Sequence, residues 1–327
     1  MKKHINPISI FSAILILLVV SCSKKNQTSR SLPPGSVTKN IVYGSNKNYL
    51  GQQEDLALDI YYPFQTNPSG TKYPVIVWIH GGGFITGDKA TADNLCRGFN
   101  DKGYIAVAIN YRIGWNHTET DLCSGDTTQL KQAQYRAVQD TRAALRFLVS
   151  RTDQYSIDTN WIFLAGSSAG CATTLHSAYL TQDSADVFLP GGRNTLGLLN
   201  NADNNLTNTY TLKGLGCMWG AIYSLGFITP DNAKPSIFFH GEKDIVAPVD
   251  EGYAYTCDNM LYVYGSISIY DRLTNFGVPA VIHIDPQGGH GVYSDKFRID
   301  NTTCFFNDVM SGNAKKGYYT GVQGNCK

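Results

Sequence analysis

Short apolar runs alternate with amphipathic stretches along most of this chain. Residues 56–62 alternate apolar and polar, which predicts a strand toward the edge of a sheet, whereas residues 75–79 and 105–109 are continuously apolar. Continuous runs are typical of parallel strands that are covered on both faces. The same pattern predicts further strands at residues 161–165, 215–222, 236–240 and 278–284.

Helical periodicity separates several of these runs. Between residues 129 and 151, apolar side chains recur at positions 130, 133, 137, 144, 145 and 148, which predicts one long helix lying on the sheet. A second helix is expected over residues 169–180, directly after a predicted strand. Strands that alternate with helices predict an α/β fold in which a mostly parallel central sheet is flanked by helices on both faces. We assign residues 40–327 to one domain.

The first 39 residues have a different character. Lys2 and Lys3 precede an apolar run at residues 8–20, which is too short to span a bilayer comfortably and predicts an export signal. The run ends before Cys22 in a segment that resembles the lipobox of bacterial lipoproteins. We expect a lipoprotein signal peptide at residues 1–22, a lipid anchor on Cys22, a flexible tether at residues 23–39, and a location in the cell envelope, at the periplasm or outer membrane. The alternative is an ordinary signal peptide with an incidental cysteine.

The net charge argues against one class of binding partner, and the cysteine content predicts disulfides. Lys and Arg number 27 against 26 Asp and Glu, for a net charge of +1, so nucleic acid is not an expected partner. Eight cysteines in an exported chain favour disulfides. We expect Cys96 to pair with Cys123 and Cys304 with Cys326, and Cys171 to remain unpaired. The cysteine spacings are not those of a zinc site, so no structural metal is predicted.

Residues 181–213 interrupt the rhythm of strands and helices. Pro190 and two glycines, followed by an asparagine-rich run at residues 200–205, predict irregular structure. The segment follows a predicted helix at a position where a lid could be inserted. A solvated surface loop is the alternative, since long loops are either functional or simply mobile.

A Gly-Ser-Ser-Ala-Gly segment at residues 166–170 joins a predicted strand to a predicted helix. In such a strand-to-helix elbow, small residues on both sides of a serine allow a sharp turn that exposes its hydroxyl. Ser168 occupies the central position of the pattern, which Ser167 does not. The segment therefore predicts Ser168 as a nucleophile.

Three glycines follow His80 at the end of the predicted strand 75–79. Acyl transfer builds negative charge on a carbonyl oxygen, and glycine backbones can bring N–H donors close to it. We predict an oxyanion hole made by the N–H groups of Gly82, Gly83 and Ala169. No Lys-Ser or Lys-Thr pair follows the glycines, which argues against a phosphate-binding loop.

A serine nucleophile needs a base, and the base needs an acid to orient it. Asp244 and His290 each follow a predicted strand, and the chain order Ser168, Asp244, His290 is the order used on the α/β-hydrolase fold. Asp250, Glu251 and Asp285 are the competing acids. His80 is expected to brace the glycine loop, and His240, at a strand end, to be structural.

These motifs, together with Asn-Tyr-Arg at residues 110–112, resemble those of the carboxylesterases of the α/β-hydrolase superfamily. The chain is similar to the bacterial acetyl and feruloyl esterases, and to the hormone-sensitive-lipase-like esterases with a His-Gly-Gly-Gly motif, although it lacks an evident N-terminal cap. The resemblance implies an α/β-hydrolase fold, a Ser-His-Asp triad, an acyl-enzyme intermediate and no cofactor.

Several aromatic residues are predicted at the carboxyl ends of strands, where α/β enzymes bind ligands. They could form a substrate pocket that stacks on sugar rings or on an aryl acyl group, and they are Phe84, Tyr111, Trp115, Trp219, Tyr223 and Tyr293. The expected partner is a small ester or an acylated carbohydrate. Two alternatives stay open, a prolyl-type serine peptidase and a non-catalytic binding protein at the cell envelope.

Overall fold

The computed structural model describes Met1 and residues 33–64, 71–117 and 121–325. The predicted signal peptide after Met1, the predicted lipid anchor at Cys22 and most of the predicted tether lie outside this part of the chain. None of the helices in the described part has the length and apolar content needed to cross a membrane.

A large sheet forms the centre of the domain. Its strands are β1 (Val37–Lys47), β2 (Gln53–Tyr61), β3 (Tyr73–Ile79), β4 (Ile105–Ile109), β5 (Ile157–Ser167), β6 (Leu212–Met218), β7 (Ser236–Gly241), β10 (Ala280–Asp285) and β11 (Gly317–Thr320). A separate hairpin pairs β8 (Glu251–Tyr253) with β9 (Tyr262–Tyr264). The strand order of the large sheet is β1-β2-β4-β3-β5-β6-β7-β10-β11 in the described residues. Pairs β1·β2 and β2·β4 are antiparallel and the remaining pairs are parallel.

Helices cover both faces of this sheet. They are α1 (Asp93–Asp101), α2 (Thr127–Val149), α3 (Thr152–Tyr155), α4 (Ala169–Tyr179), α5 (Gln182–Phe188), α6 (Gly192–Leu196), α7 (Ser266–Asn275) and α8 (Asp295–Met310). Alternate residues of β3 enter different cores: Val75 and Val77 pack with α2, α4 and α7, while Ile76 and Trp78 pack with α1 and α8. Two-sided burial explains why this strand is apolar at consecutive positions.

The predicted strands and both predicted helices are present. The strand over residues 56–62 lies toward an edge of the sheet, as predicted, and is second from it because β1 pairs outside it. Strand β1 begins at Val37, within the predicted tether. The strand predicted over 215–222 ends at Met218, where Trp219 turns the chain with a φ of 40°. Sequence patterns did not predict β1, β11 or the β8–β9 hairpin.

Residues 181–213 contain two short helices in place of purely irregular structure. Thr181 caps α5 through a reciprocal hydrogen-bonded capping box with Ser184. Phe188 and Leu199 are buried against Tyr135 of α2. The segment is therefore packed on the outer side of α2 by apolar contacts.

The cysteine pairing differs from the prediction. Cys123 forms a disulfide with Cys257, 134 residues away, so the predicted Cys96–Cys123 pair is wrong. Cys96 is a free thiol on the buried face of α1, where it packs in the core. Cys171 is unpaired, as predicted, and Cys217 is also free. Cys304 is disulfide-bonded, and its predicted partner Cys326 lies outside the described residues.

Candidate active site

Ser168 lies in a sharp turn between β5 and α4. Its backbone has φ 53° and ψ −121°, a conformation that non-glycine residues rarely adopt. A Cβ atom at Gly170 would overlap the carbonyl oxygen of Ile79, and one at Gly166 would overlap the backbone of Gly170. The two glycines are thus required by close approach of the backbones on both sides of the serine.

The side chains of Ser168, His290 and Asp244 form a hydrogen-bonded chain. His290 Nε2 lies 2.7 Å from Ser168 Oγ, and His290 Nδ1 lies 2.8 Å from Asp244 Oδ2. Strands β7 and β10 are adjacent and parallel, so the loops that follow them, which carry the acid and the imidazole, meet at one edge of the sheet. The structure therefore brings together the three residues that the sequence predicted as a group.

The competing acids contact other groups. Asp250 accepts a hydrogen bond from Ser268, and Asp285 accepts the backbone N–H groups of Gln287 and Gly288. Glu251 begins the β8 strand of the hairpin. Within the described residues, Asp244 is the carboxylate that contacts the imidazole of His290.

Asp244 is held as a carboxylate. Burial raises its pKa, but hydrogen bonds from His240 and His290 outweigh burial and hold the pKa of Asp244 well below its usual range. The N–H groups of Val246 and Ala247 also donate to this carboxylate, at 2.8 and 3.0 Å. Because an ionised carboxylate only accepts, His290 carries its proton on Nδ1 and presents the lone pair of Nε2 to the Ser168 hydroxyl.

The glycine loop lies beside this serine. Gly82 and Gly83 have φ values of 111° and 60°, which favour glycine, and the Gly82 carbonyl accepts the N–H groups of two following residues. Among the described residues, none accepts a hydrogen bond from the N–H groups of Gly82, Gly83 or Ala169. These three predicted donors are therefore free to bind an oxygen atom near Ser168.

His80 supports the loop from below, as predicted. Its ring stacks on Tyr111 at 4.4 Å between centroids, and Tyr111 donates its hydroxyl to the His80 carbonyl. Burial lowers the pKa of His80, so the ring stays neutral in the core. Tyr111 is buried beneath the loop, which makes it part of the support and not of the predicted substrate pocket.

Two cavities meet at Ser168. The larger has a volume of about 460 Å³ and is lined by Gly81, Gly82, Gly83, Ile85, Thr86, His117, Leu122, Ser167, Ser168, Trp219, Val246, Tyr255 and His290. The smaller has a volume of about 80 Å³ and is lined by Gly83, Phe84, Leu130, Ser168, Ala169, Ala172, Gly220, Ala221, Tyr223, Val246, Ala247, Ala254, Tyr255, Leu261 and Val263. The smaller cavity is apolar and includes two of the three free donors. None of the residues that line either cavity belongs to 181–213.

Three of the six residues of the predicted aromatic pocket line the two cavities. Phe84 and Tyr223 line the smaller cavity, and Trp219 lines the larger one. Besides Tyr111, the other two face elsewhere. Trp115 is buried and donates its indole N–H to the Gly83 carbonyl at 2.9 Å, and Tyr293 packs on Phe297.

Several residues that line the larger cavity were not predicted from the sequence, among them His117, Leu122 and Tyr255. These three lie on two loops that the Cys123–Cys257 disulfide joins. Correct pairing of the cysteines was the one sequence signal that could have placed these loops together, and spacing alone does not determine pairing.

Comparisons with known proteins find esterases and carboxylesterases. The BD-FAE family model matches residues 58–213. The chain is 32% identical to carboxylesterase 5A of Mus musculus over 244 residues, and this alignment covers 73% of this chain and 40% of that protein. It is 30% identical to esterase E4 of Myzus persicae over 161 residues, and that alignment covers 47% of this chain and 27% of the esterase. The match thus spans well under half the length of these curated relatives.

Solved structures match nearly the whole domain. A truncated form of a carbohydrate esterase from gut microbiota superposes with a TM-score of 0.60 at 18% identity, covering 84% of this chain and 96% of that one. Esterase 2 of Thermogutta terrifontis, in its propionate-bound form, superposes with a TM-score of 0.55 at 18% identity, covering 86% and 96%. At this level of identity the likeness concerns the fold. The chain therefore has the α/β-hydrolase fold, with residues 58–213 matching the BD-FAE family.

Proposed function

We propose that this protein is a serine carboxylesterase that hydrolyses short-chain acyl esters, including those of carbohydrates. The observation that carries the proposal is the chain of hydrogen bonds from Ser168 through His290 to Asp244, set beside three unoccupied N–H donors. The named relatives are esterases and carboxylesterases, which supports the same reaction.

Each proposed step uses a contact already described. Ser168 Oγ attacks the ester carbonyl carbon while His290 Nε2 accepts its proton, and ionised Asp244 stabilises the resulting imidazolium. The negative carbonyl oxygen is stabilised by the free N–H groups next to Ser168. The imidazolium then protonates the leaving alcohol. A water molecule gives a proton to His290 as it attacks the acyl carbon, and the imidazolium returns that proton to Ser168 Oγ when the bond from Oγ to the acyl group breaks and the carboxylic acid leaves.

The sizes of the two cavities support one binding site for each half of the ester. A volume of about 80 Å³ with apolar walls suits a short acyl group, and it adjoins Gly83 and Ala169, whose N–H groups would hold the carbonyl oxygen. The larger cavity, at about 460 Å³, suits a bulkier alcohol. A carbohydrate esterase among the similar structures supports a sugar as that alcohol.

Hydrolysis of p-nitrophenyl acetate, combined with labelling by a fluorophosphonate probe, tests the reaction. The wild type should release p-nitrophenol and take up the probe, and Ser168→Ala should lose both. Ser167→Ala is the matched control, because it removes the neighbouring hydroxyl and should still be labelled. Labelling that persists in Ser168→Ala, or turnover of peptide anilides without turnover of esters, would contradict the proposal.

The proposal also places the enzyme at the cell envelope, anchored by a lipid on Cys22. The supporting observations are the two lysines, the apolar run at residues 8–20 and the cysteine that follows it. Membrane fractionation of cells that express the wild type or Cys22→Ala tests this location. The wild type should be recovered with membranes and the variant in the soluble periplasmic fraction, and an identical distribution would contradict the anchor.

A further inference from the structure

His117 is a second histidine in the larger cavity, and the proposed reaction does not use it. Its imidazole is sandwiched between two rings, with centroids 4.6 Å from Trp115 at an interplanar angle of 18° and 5.5 Å from Tyr255 at 24°. We call these three rings the aromatic rim. Two of these rings, His117 and Tyr255, line the larger cavity, which also contains Ser168 and His290.

The hydrogen bonding of His117 determines which nitrogen can bind a ligand. Nδ1 lies 2.8 Å from the carbonyl oxygen of Ser124, and a carbonyl only accepts, so Nδ1 carries the proton. In the neutral ring Nε2 is then an acceptor with an available lone pair. No described residue donates to this atom, although the ring lines the cavity.

The rim is held in place on several sides. Trp115 donates to the Gly83 carbonyl, and the Cys123–Cys257 disulfide ties the loop that carries His117 to the loop that carries Tyr255. Asn259 adds a hydrogen bond of 2.7 Å to the carbonyl of Cys123. A ring restrained in this way binds a ligand without losing much side-chain entropy on binding.

We propose that His117 Nε2 accepts a hydrogen bond from a free hydroxyl of the leaving alcohol, so that the larger cavity selects esters of polyhydroxy alcohols over esters of simple alkanols. This inference rests on the proposed function, since it assigns the larger cavity to the alcohol. His117 is the added recognition group, and a free hydroxyl of the alcohol is the feature that it binds.

The expected size of the effect follows from ordinary hydrogen-bond energetics. A neutral hydrogen bond made in a partly desolvated cavity contributes about 0.5–1.5 kcal/mol, which corresponds to a preference of about two- to tenfold in kcat/KM. The preference should depend on the acceptor atom and not on the ring stack alone.

Two acetates that differ in their hydroxyl groups provide the test, glycerol 1-monoacetate and propyl acetate. The measured quantity is the ratio of kcat/KM for the first ester to that for the second. His117→Phe keeps a ring between Trp115 and Tyr255 but has no acceptor, and should lower the ratio about two- to tenfold. His117→Gln restores an amide oxygen acceptor near the Nε2 position and should recover part of the ratio.

The outcomes separate this inference from the proposed function. Turnover of both acetates with a ratio unchanged in His117→Phe, or lowered equally in His117→Phe and His117→Gln, would overturn the role of His117 and leave the esterase proposal intact. Absence of turnover by the wild type on both acetates and on p-nitrophenyl acetate would overturn both.

Discussion

His240 Nε2 lies 3.2 Å from Asp244 Oδ2, the same carboxylate oxygen that faces His290. Nε2 also lies 2.9 Å from the Ala247 carbonyl, so it carries a proton, and Nδ1 lies 2.7 Å from Ser266 Oγ. The fully buried ring thus donates to the carboxylate from below while His290 donates from the cavity side. His240 is structural, as predicted, and it is a positioning residue for Asp244.

Removal of the hydrogen bond from His240 should leave the Asp244 carboxylate less well positioned against His290. We expect His240→Leu to lower kcat about tenfold, in the range of a lost hydrogen bond to a charged group. Because the pKa of Asp244 lies well below its usual range, its carboxylate should stay ionised at neutral pH in this variant, and the loss of kcat should be similar at pH 7 and pH 8. His240→Gln keeps an N–H group in reach and should restore much of kcat. Steady-state kinetics on p-nitrophenyl acetate measure the three proteins, and a His240→Gln variant as slow as His240→Leu would leave His240 with a packing role only.

Acyl-chain preference should follow the volume of the smaller cavity. Leu261→Ala removes part of its wall and should increase kcat/KM for p-nitrophenyl hexanoate relative to the acetate by about tenfold, since each accommodated methylene contributes about 1 kcal/mol or more. Leu122 lines the larger cavity, so Leu122→Ala is the matched control and should leave this ratio near the wild-type value. A change of similar size in both variants would mean that the two cavities do not divide the ester as proposed.

The Cys123–Cys257 disulfide should affect both stability and substrate binding. Replacement of both cysteines by alanine is expected to cost about 2–5 kcal/mol of unfolding free energy, because the bond closes a long loop. KM should also rise, since Leu122 and Tyr255 of the larger cavity lie on the two joined loops. Denaturant unfolding and steady-state kinetics measure the two effects.

The control for this prediction breaks a disulfide elsewhere. Cys304 is disulfide-bonded on α8 and lines neither cavity, so Cys304→Ala should reduce stability without the same rise in KM. An equal rise in KM in both proteins would show that the effect comes from general loosening of the fold.

Asp203 gives the fold a dependence on pH. Its side chain is buried beside Asp140, and both carboxylates contact Arg112. Burial and the neighbouring Asp140 raise the pKa of Asp203 to about 8, although Arg112 opposes this. The folded protein therefore binds more protons than the unfolded chain between about pH 4 and 8, and its stability falls as the pH rises through that range.

Asp203→Asn should remove this dependence. The backbone of Asp203 has a φ of 71°, which asparagine tolerates, and an amide oxygen can still accept from Asn46. The melting temperature of Asp203→Asn relative to the wild type should rise by several degrees between pH 5 and 8. Asp183→Asn, on an exposed side chain, is the control and should show no such trend. Melting temperatures that change equally with pH in Asp203→Asn and in the wild type would contradict the raised pKa of Asp203.

Local patterns predicted the parts of the molecule that depend on neighbours in sequence. The consecutive apolar residues of β3 and β4 follow from burial on both faces of a sheet. The small residues around Ser168 follow from the close approach of backbones in the elbow, and the glycines after His80 follow from positive φ values. Edge elements were missed because β1 and β11 are only partly buried and lack a strong apolar pattern.

Contacts between distant segments were decided by the tertiary structure. Asp244 had three competing acids near the ends of two strands, and the adjacency of β7 and β10 places Asp244 against His290. Cys123 pairs with Cys257 and not with Cys96 because the chain brings two loops together above Ser168. Local sequence patterns predicted the inner strands, the elbow at Ser168 and the order of the reactive groups, since these depend on backbone geometry and burial. The partner of each group and the walls of the two cavities depend on how separate loops pack, which local patterns do not contain.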